Sequence, residues 1–317
     1  MNQFSKDIIL DEELNNGFGF WIRASKLIAS AESEFQKIEL FSTPKFGKVL
    51  RIDNYFMTSE KDEFFYHENM VHPAMLSHPN PKKILIIGGG DGGAAKEYLK
   101  HPSVEKVIIA EIDSVVVDFC KEHLSKVHGD SFSNAKVEVK ICDGKKFIEE
   151  SSDEFDIILL DLTDPFGPSE MLYRIEFLSH CKRLLGDQGI LTMHVGSPIA
   201  RPDLYHRLVS SAAHIFKIIR PYQTYVPLYG TSWGMLVASN SLDPMQLKQS
   251  ELVTLFEKRN LGDLNYLNAE NFNAIFHLPN YIKQILTKPF RPISKVDPLA
   301  IDGIDPEDHI QIEIKVI

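Results

Sequence analysis

The run KILIIGGGDGGAAKEYL, residues 83–99, couples four consecutive aliphatic residues to a glycine-rich turn and then to a segment of good helix formers. A strand buried on both faces reads as such an uninterrupted apolar run. Glycines at 88, 90 and 93 satisfy G-x-G-x-x-G between strand and helix, the setting in which the backbone can approach a nucleoside closely because no Cβ intervenes. A ligand-free structural turn is the plainer alternative.

Outward from this stretch the pattern alternates. Strand-like runs fall at 83–87, 107–111, 137–141, 155–160 and 189–194, with helical patterns between them, as at 114–124 and 172–185. Such alternation predicts a parallel sheet covered by helices on both faces. Two further strand candidates, 218–225 and 234–238, follow, and 243–287 reads as helical. Before the glycine-rich turn, residues 17–60 read as β-hairpins (FGFWIRASKLIAS, FQKIELFS, KVLRI, YFMTS), and 61–77 as a helix interrupted or kinked at Pro73. HPNP at 78–81 marks a boundary. The expected fold is α/β: an N-terminal β domain over 1–79, a nucleoside-binding domain over 80–290, and an extension over 291–317 whose HIQIEIKVI alternates like a strand, as an edge strand or a subunit contact.

Composition narrows the function. Thirty-four basic against 44 acidic residues give a net charge of −10, and no basic stripe for nucleic acid is present. No apolar run approaches the roughly 18 residues of a membrane span, and the N-terminus lacks a signal-peptide layout, so a cytoplasmic protein is expected. Cys120, Cys142 and Cys181 fit neither a disulfide framework nor a zinc site. His67, His72 and His78 are spaced by five and six and do not share a helical face, so no metal is expected.

Four carboxylates carry the chemistry. Glu111, ending the next strand 18 residues after Gly93, is placed to accept both ribose hydroxyls. Asp91 lies inside the glycine turn, where it would repel a pyrophosphate and suits a cationic nucleoside, unless it is only a helix cap. Asp161 and Asp164, in LLDLTDPFGPSE, sit at the carboxyl edge of the sheet, followed by Pro165, Gly167 and Pro168 in a loop long enough for a lid. Asp143 and Gly144 occupy the third strand end, as an adenine contact or a plain turn. Gathered like charges point to a cationic ligand.

ILIIGGGDGG, DEFFYHENMVH, VEKVIIAEID and DLTDPFGP, in this order, resemble the spermidine synthase (polyamine aminopropyltransferase) family, from about Gln36 to Ala238 with a looser match at FHLPNYIKQIL. The resemblance implies a small β domain followed by a seven-stranded, methyltransferase-like (Rossmann-type) sheet, and a homodimer or homotetramer. It implies aminopropyl transfer from decarboxylated S-adenosylmethionine, a co-substrate with no further cofactor, to a small cationic amine. Gln36, Gly88, Gly90, Asp91, Glu111, Asp143 and Gly144 would then hold the thioadenosine part, with His67 near the donor amine. Tyr66, Asp164 and Tyr229 would line the acceptor channel, and Asp161 would be the base. DLTDP in place of DSSDP, and the shortened loop VPLYGTSWG, resemble members acting on longer amines, although putrescine is the commonest acceptor in the family. A methyltransferase, a non-catalytic polyamine sensor and an NAD dehydrogenase are the competing readings.

Overall fold

The computed structural model describes residues 8–165 and 167–299. Its N-terminal part holds a hairpin of β1 (Ile8–Asn15) and β2 (Phe18–Ala24), then a four-stranded antiparallel sheet of β3 (Lys26–Glu32), β4 (Lys37–Thr43), β5 (Gly47–Ile52) and β6 (Tyr55–Ser59). Helix α1 (Glu63–Ser77) leads to the central sheet: β7 (Lys83–Gly88), α2 (Gly93–Leu99), β8 (Lys106–Glu111), α3 (Ser114–His123), α4 (Ser125–His128), β9 (Val137–Ile141), α5 (Gly144–Glu150), β10 (Ile157–Asp161), α6 (Ile175–Leu185), β11 (Ile190–Gly196), α7 (Pro202–Ile215), β12 (Ile218–Val226) and β13 (Thr231–Ser239). Helices α8 (Gln249–Lys258) and α9 (Asn280–Ile285) follow.

The central sheet has seven strands in the order β12-β13-β11-β10-β7-β8-β9, with β13 antiparallel to both its neighbours. The chain winds outward from β7 through β8 to β9, then restarts on the other side of β7 with β10. The carboxyl ends of β7 and β10 therefore flank the crevice where open α/β sheets bind ligands. Register fixes this point at the pairing of Gly88 with Asp161.

Alternation along the strands divides the core in two. Ile84, Ile86, Val107, Ile109, Ile157 and Leu159 face α1, α2 and α8. Leu85, Ile87, Ile108, Ile158 and Leu160 face α5, α6 and α7. Both faces are covered, which is why these strands read as continuous apolar runs. The four-stranded sheet packs Ile38, Leu40 and Leu50 on α3, and its other side joins Leu10 of the hairpin and Leu228 after β12.

Two sequence expectations need correction here. β1 lies before residue 17, where no strand was expected; its DEE run hides the alternation of buried Leu10 and Leu14 with exposed neighbours. Residues 243–287 are helical only at α8, α9 and two single-turn 3-10 segments. Between them the backbone amides of Asn265, Tyr266 and Leu267 converge on the buried carboxylate of Glu68, which replaces helical bonding there. HIQIEIKVI lies outside the described residues. The described part of the extension packs on α6 and α7 through Ile175 N to Ile293 O and Ile293 N to Ser211 Oγ.

Helix α1 runs unbroken through Pro73. Proline cannot donate to the carbonyl four residues earlier. That carbonyl, on Asn69, instead accepts the hydroxyl of fully buried Tyr222 at 2.6 Å. Tyr222→Phe should therefore cost about 1–3 kcal/mol, the penalty for a buried unsatisfied group. A denaturant midpoint unchanged from wild type would show the carbonyl to be satisfied otherwise.

Candidate active site

Asp161 and Gly88 are so close that a Cβ at position 88 would lie 2.2 Å from the Asp161 carbonyl oxygen, and Gly88 has φ +81°. Only glycine fits both demands. The Gly89 amide donates to that same carbonyl at 2.9 Å, so the glycine turn is stitched to the end of β10. The half-buried Asp161 carboxylate accepts the hydroxyl of Tyr66, from the first turn of α1, at 3.0 Å. Burial and the charge of Asp91 push Asp161 up to about 6.

Asp91 makes two contacts, one at the start of α2 and one to His67. Its Oδ1 accepts the amide of Gly93, the first residue of α2, at 2.9 Å, and its Oδ2 lies 3.4 Å from Nε2 of His67. Burial opposes ionisation of Asp91, but His67 and the Gly93 amide outweigh it and hold the group below the usual carboxylate range. The other ring nitrogen of His67, Nδ1, bonds Glu63 one turn earlier at 2.7 Å, and Lys96 of α2 bonds the second Glu63 oxygen. The imidazole lies flat on Gly93, where a Cβ would approach its ring atoms to 2.3 Å. That glycine of the motif therefore makes room for a side chain. One ligand atom from each of His67, Asp91 and Asp161 falls within a 4.8 Å group, a spacing a metal ion could also use.

On the β8 side, buried Glu111 accepts the Asp113 amide at 3.0 Å and is pushed up to about 7 by burial. Gln36 reaches across from the N-terminal sheet to Asp113 Oδ2 at 2.9 Å, closing that edge. Asp143 is exposed and caps α5 through the amides of Lys145 and Lys146, with Gly144 buried behind it.

On the β10–β11 side, Asp164 lines a cavity with Glu12, Tyr55, Ser197, Arg201 and Trp233. A second, adjoining Tyr66, lies between Asp62, Met57 and Tyr229. Tyr229 packs edge-on against Tyr66 and Trp233, and its hydroxyl donates to Met57 O at 2.7 Å. Asp62 holds this loop in place, accepting the Leu228 amide at 2.7 Å and the Ser59 hydroxyl at 2.5 Å. Behind the wall, His194 stacks on Trp233 and bonds Tyr173 and the Leu162 carbonyl through Nε2; burial holds it below its ordinary value. The loop after Asp164 closes on itself through Tyr173 OH to Thr163 O and Ser169 Oγ to Asp164 O.

Residues 63–249 match the family model for the spermine/spermidine synthase domain, and residues 9–60 match the spermidine synthase tetramerisation domain. The chain belongs to the spermine/spermidine synthase family. Membership makes it an enzyme, a polyamine aminopropyltransferase. The polyamine aminopropyltransferase of Nitrosomonas europaea is 41% identical over 303 residues, covering 96% of this chain and 93% of that protein. That of Sulfurisphaera tokodaii is 36% identical over 87% of this chain and 92% of its own length. A spermidine synthase in complex with the transition state analogue AdoDATO superposes with a TM-score of 0.83 at 34% identity, over 90% of this chain and 96% of that one. The spermidine synthase of Thermotoga maritima gives 0.80 at 32%, over 90% and 95%. Both support the α/β fold of a small β domain and a seven-stranded sheet.

For this spermine/spermidine synthase family member, sequence reasoning overlooked Glu12, Asp62, Glu63, Asp113 and His194. Glu63 was legible as the i−4 neighbour of His67. Glu12 carried no signal, because only the crossing of β1 over the sheet edge brings it to Asp164. Burial pushes Glu12 up to about 7; its bond from the Phe56 amide opposes this and nearby Asp164 adds to it. Its folded value thus exceeds the unfolded one, so its contribution is present at low pH and lost as pH rises through about 7. Glu12→Gln should gain stability relative to wild type between pH 5 and pH 8, by at most about 3 kcal/mol. Melting temperatures whose difference is flat across that range would contradict the burial of this charge.

Proposed function

We propose that the chain transfers the aminopropyl group of decarboxylated S-adenosylmethionine to putrescine, forming spermidine and methylthioadenosine, with no other cofactor. The observation that supports this best is the single row of acidic groups along the crevice: Glu111, Asp91, Asp161, Asp164 and Glu12, with Tyr66 bonded to the central one. In this reading Glu111, Asp143, Gly144, Gly88, Gly90 and Gln36 surround the nucleoside. Asp91, with His67, takes the donor amine. Tyr66, Tyr229 and Asp164 line the amine channel. A small N-terminal sheet that matches a tetramerisation domain favours an oligomer.

The donor sulfonium makes its neighbouring methylene electrophilic, and methylthioadenosine leaves as a neutral molecule, so one in-line displacement suffices. The barrier lies in the nucleophile. An alkylamine of pKa about 10.4 costs roughly 4–5 kcal/mol to hold neutral at pH 7. Asp161 has the role of accepting the ammonium proton, and its raised value brings it closer to the pH at which a base works well. Tyr66 donates to one of its oxygens and so leaves the other for the amine. The sulfonium helps, because a nearby cation favours the neutral amine. Ordinary S-adenosylmethionine would set a second carboxylate against Asp91, which disfavours it.

A longer acceptor such as spermidine is the second reading, favoured by Glu12. Putrescine offers one distal ammonium, whereas Asp164 and Glu12 supply two carboxylates on one cavity.

Mass-spectrometric product analysis with the decarboxylated donor and putrescine, agmatine or spermidine tests both readings. Methylthioadenosine plus spermidine supports the first; transfer only to spermidine supports the second; no transfer to any amine, with turnover of ordinary S-adenosylmethionine, would return the chain to methyl transfer. For Asp161, kcat/KM for the amine at saturating donor should fall below about pH 6 with unit slope, the carboxylate being the active form. Asp161→Asn should lower kcat about 100-fold or more. Wild-type turnover in that variant would remove Asp161 from the mechanism.

A further inference from the structure

A buried chain of alternating charge runs away from the donor side of the crevice: Asp91, His67, Glu63, Lys96. His67 has a carboxylate on each ring nitrogen, at 2.7 Å from Nδ1 and 3.4 Å from Nε2. Carboxylates only accept, so both contacts are satisfied together when both nitrogens carry hydrogen, which is the imidazolium form. The ring cannot turn away from this arrangement, because it is pressed on the Gly93 backbone and only 2% exposed. Glu63 is itself fixed by Lys96, so its acceptance of the Nδ1 hydrogen is built in. The titratable groups facing His67 are Asp62, Glu63 and the neutral Tyr66 around the start of α1, Asp91 on the glycine turn, Lys96 on α2 and Asp161 at the end of β10. Burial works against the charge, but Asp91 and Glu63 prevail and hold His67 well above its ordinary value.

A donor that brings its own ammonium to Asp91 meets this resident cation. An ammonium N–H needs an acceptor, and Nε2–H offers none. The neutral ring that keeps its hydrogen on Nδ1, toward Glu63, presents a lone pair on Nε2 instead. We propose that Glu63 is a positioning residue that keeps a positive charge on His67 beside Asp91 in the empty site, and that the decarboxylated donor displaces this charge, releasing one proton from Nε2 to solvent for each molecule bound. The donor keeps all its own hydrogens, and the one bond broken is Nε2–H of His67, whose proton goes to solvent and whose electron pair stays on nitrogen, so at Asp91 binding exchanges one cation for another. The inference rests on the assignment of Asp91 to the donor amine in the proposed function.

Such a site holds Asp91 paired before the donor arrives. It also makes donor affinity pH-dependent: one proton released per molecule means affinity falls roughly tenfold for each unit by which the pH is lowered below the His67 transition. Methylthioadenosine has no charge to exchange and should bind without this dependence. It does engage Glu111, so any proton moved there is common to both ligands. Asp161, at about 6, is almost fully ionised at pH 7.5 and adds little at that pH.

Isothermal titration at pH 7.5, in buffers of different ionisation enthalpy, counts the protons. The decarboxylated donor should release close to one proton more than methylthioadenosine does. In Glu63→Gln that excess should largely vanish, and in His67→Gln it should be absent, with methylthioadenosine binding in both variants reporting an intact nucleoside site. Equal proton release for the two ligands in the wild-type protein, or an undiminished excess in Glu63→Gln, overturns the proposal while leaving aminopropyl transfer intact. Failure of the decarboxylated donor to bind, with S-adenosylmethionine binding normally, overturns the proposed function and this inference with it.

Discussion

Where β7 and β10 run side by side, Gly88 meets Asp161 and the chain changes its direction of travel across the sheet. The glycine turn can reach the end of β10 only because position 88 has no side chain. From that contact the placement of the other groups follows. The turn carries Asp91 and starts α2; α2 carries Lys96; β8, on the other side of β7, ends at Glu111. Helix α1 crosses the same point and sets Tyr66 on Asp161 and His67 on Asp91, three and four residues after Glu63. A side chain at 88 would separate the turn from the strand and scatter these groups together.

Crowding acidic groups in this way has an electrostatic cost, and the protein meets it differently at each position. Asp91 stays ionised against a histidine. Asp161, Asp164, Glu111 and Glu12 are pushed toward protonation by their own burial. Under the proposed function, cationic substrates complete the charge of this site. Structural ion pairs do not leave charges in that condition, since a buried charge without a partner is costly.

Much of this was legible in the sequence because the central sheet is buried on both faces. KILII, VIIAE and the runs at 155–160 and 189–194 can be placed by hydrophobicity alone, and their ends name Gly88, Glu111 and Asp161. Asp143 was harder, since a cap and a ligand contact ask for the same residue at the same strand end. What stayed hidden depends on contacts between distant segments. Glu12 belongs to a strand that lies against only one neighbour, and its acidic run masks the two buried leucines. Residues 259–279 read as helical, but Glu68, some 200 positions earlier, takes up the amides that a helix would have used. Pro73 looked like a break because the hydroxyl that compensates for it is on Tyr222.

The β1–β2 hairpin touches the catalytic part through specific bonds, among them Asn15 Nδ2 to the Ala200 carbonyl at 2.5 Å and Arg201 Nε to the Leu14 carbonyl at 2.6 Å. Both anchors on the hairpin side lie within three residues of Glu12, and both on the other side lie in the turn before α7. The wall beside Asp164 is thus assembled from a piece of chain that takes no part in the glycine turn or in β8. Drift in the hairpin can reshape the end of the crevice beside Asp164 while the glycine turn and β8 are inherited unchanged. Under the proposed function, a fold divided in this way can spread across amines of different length by altering one appendage, with its most constrained chemistry kept out of the experiment.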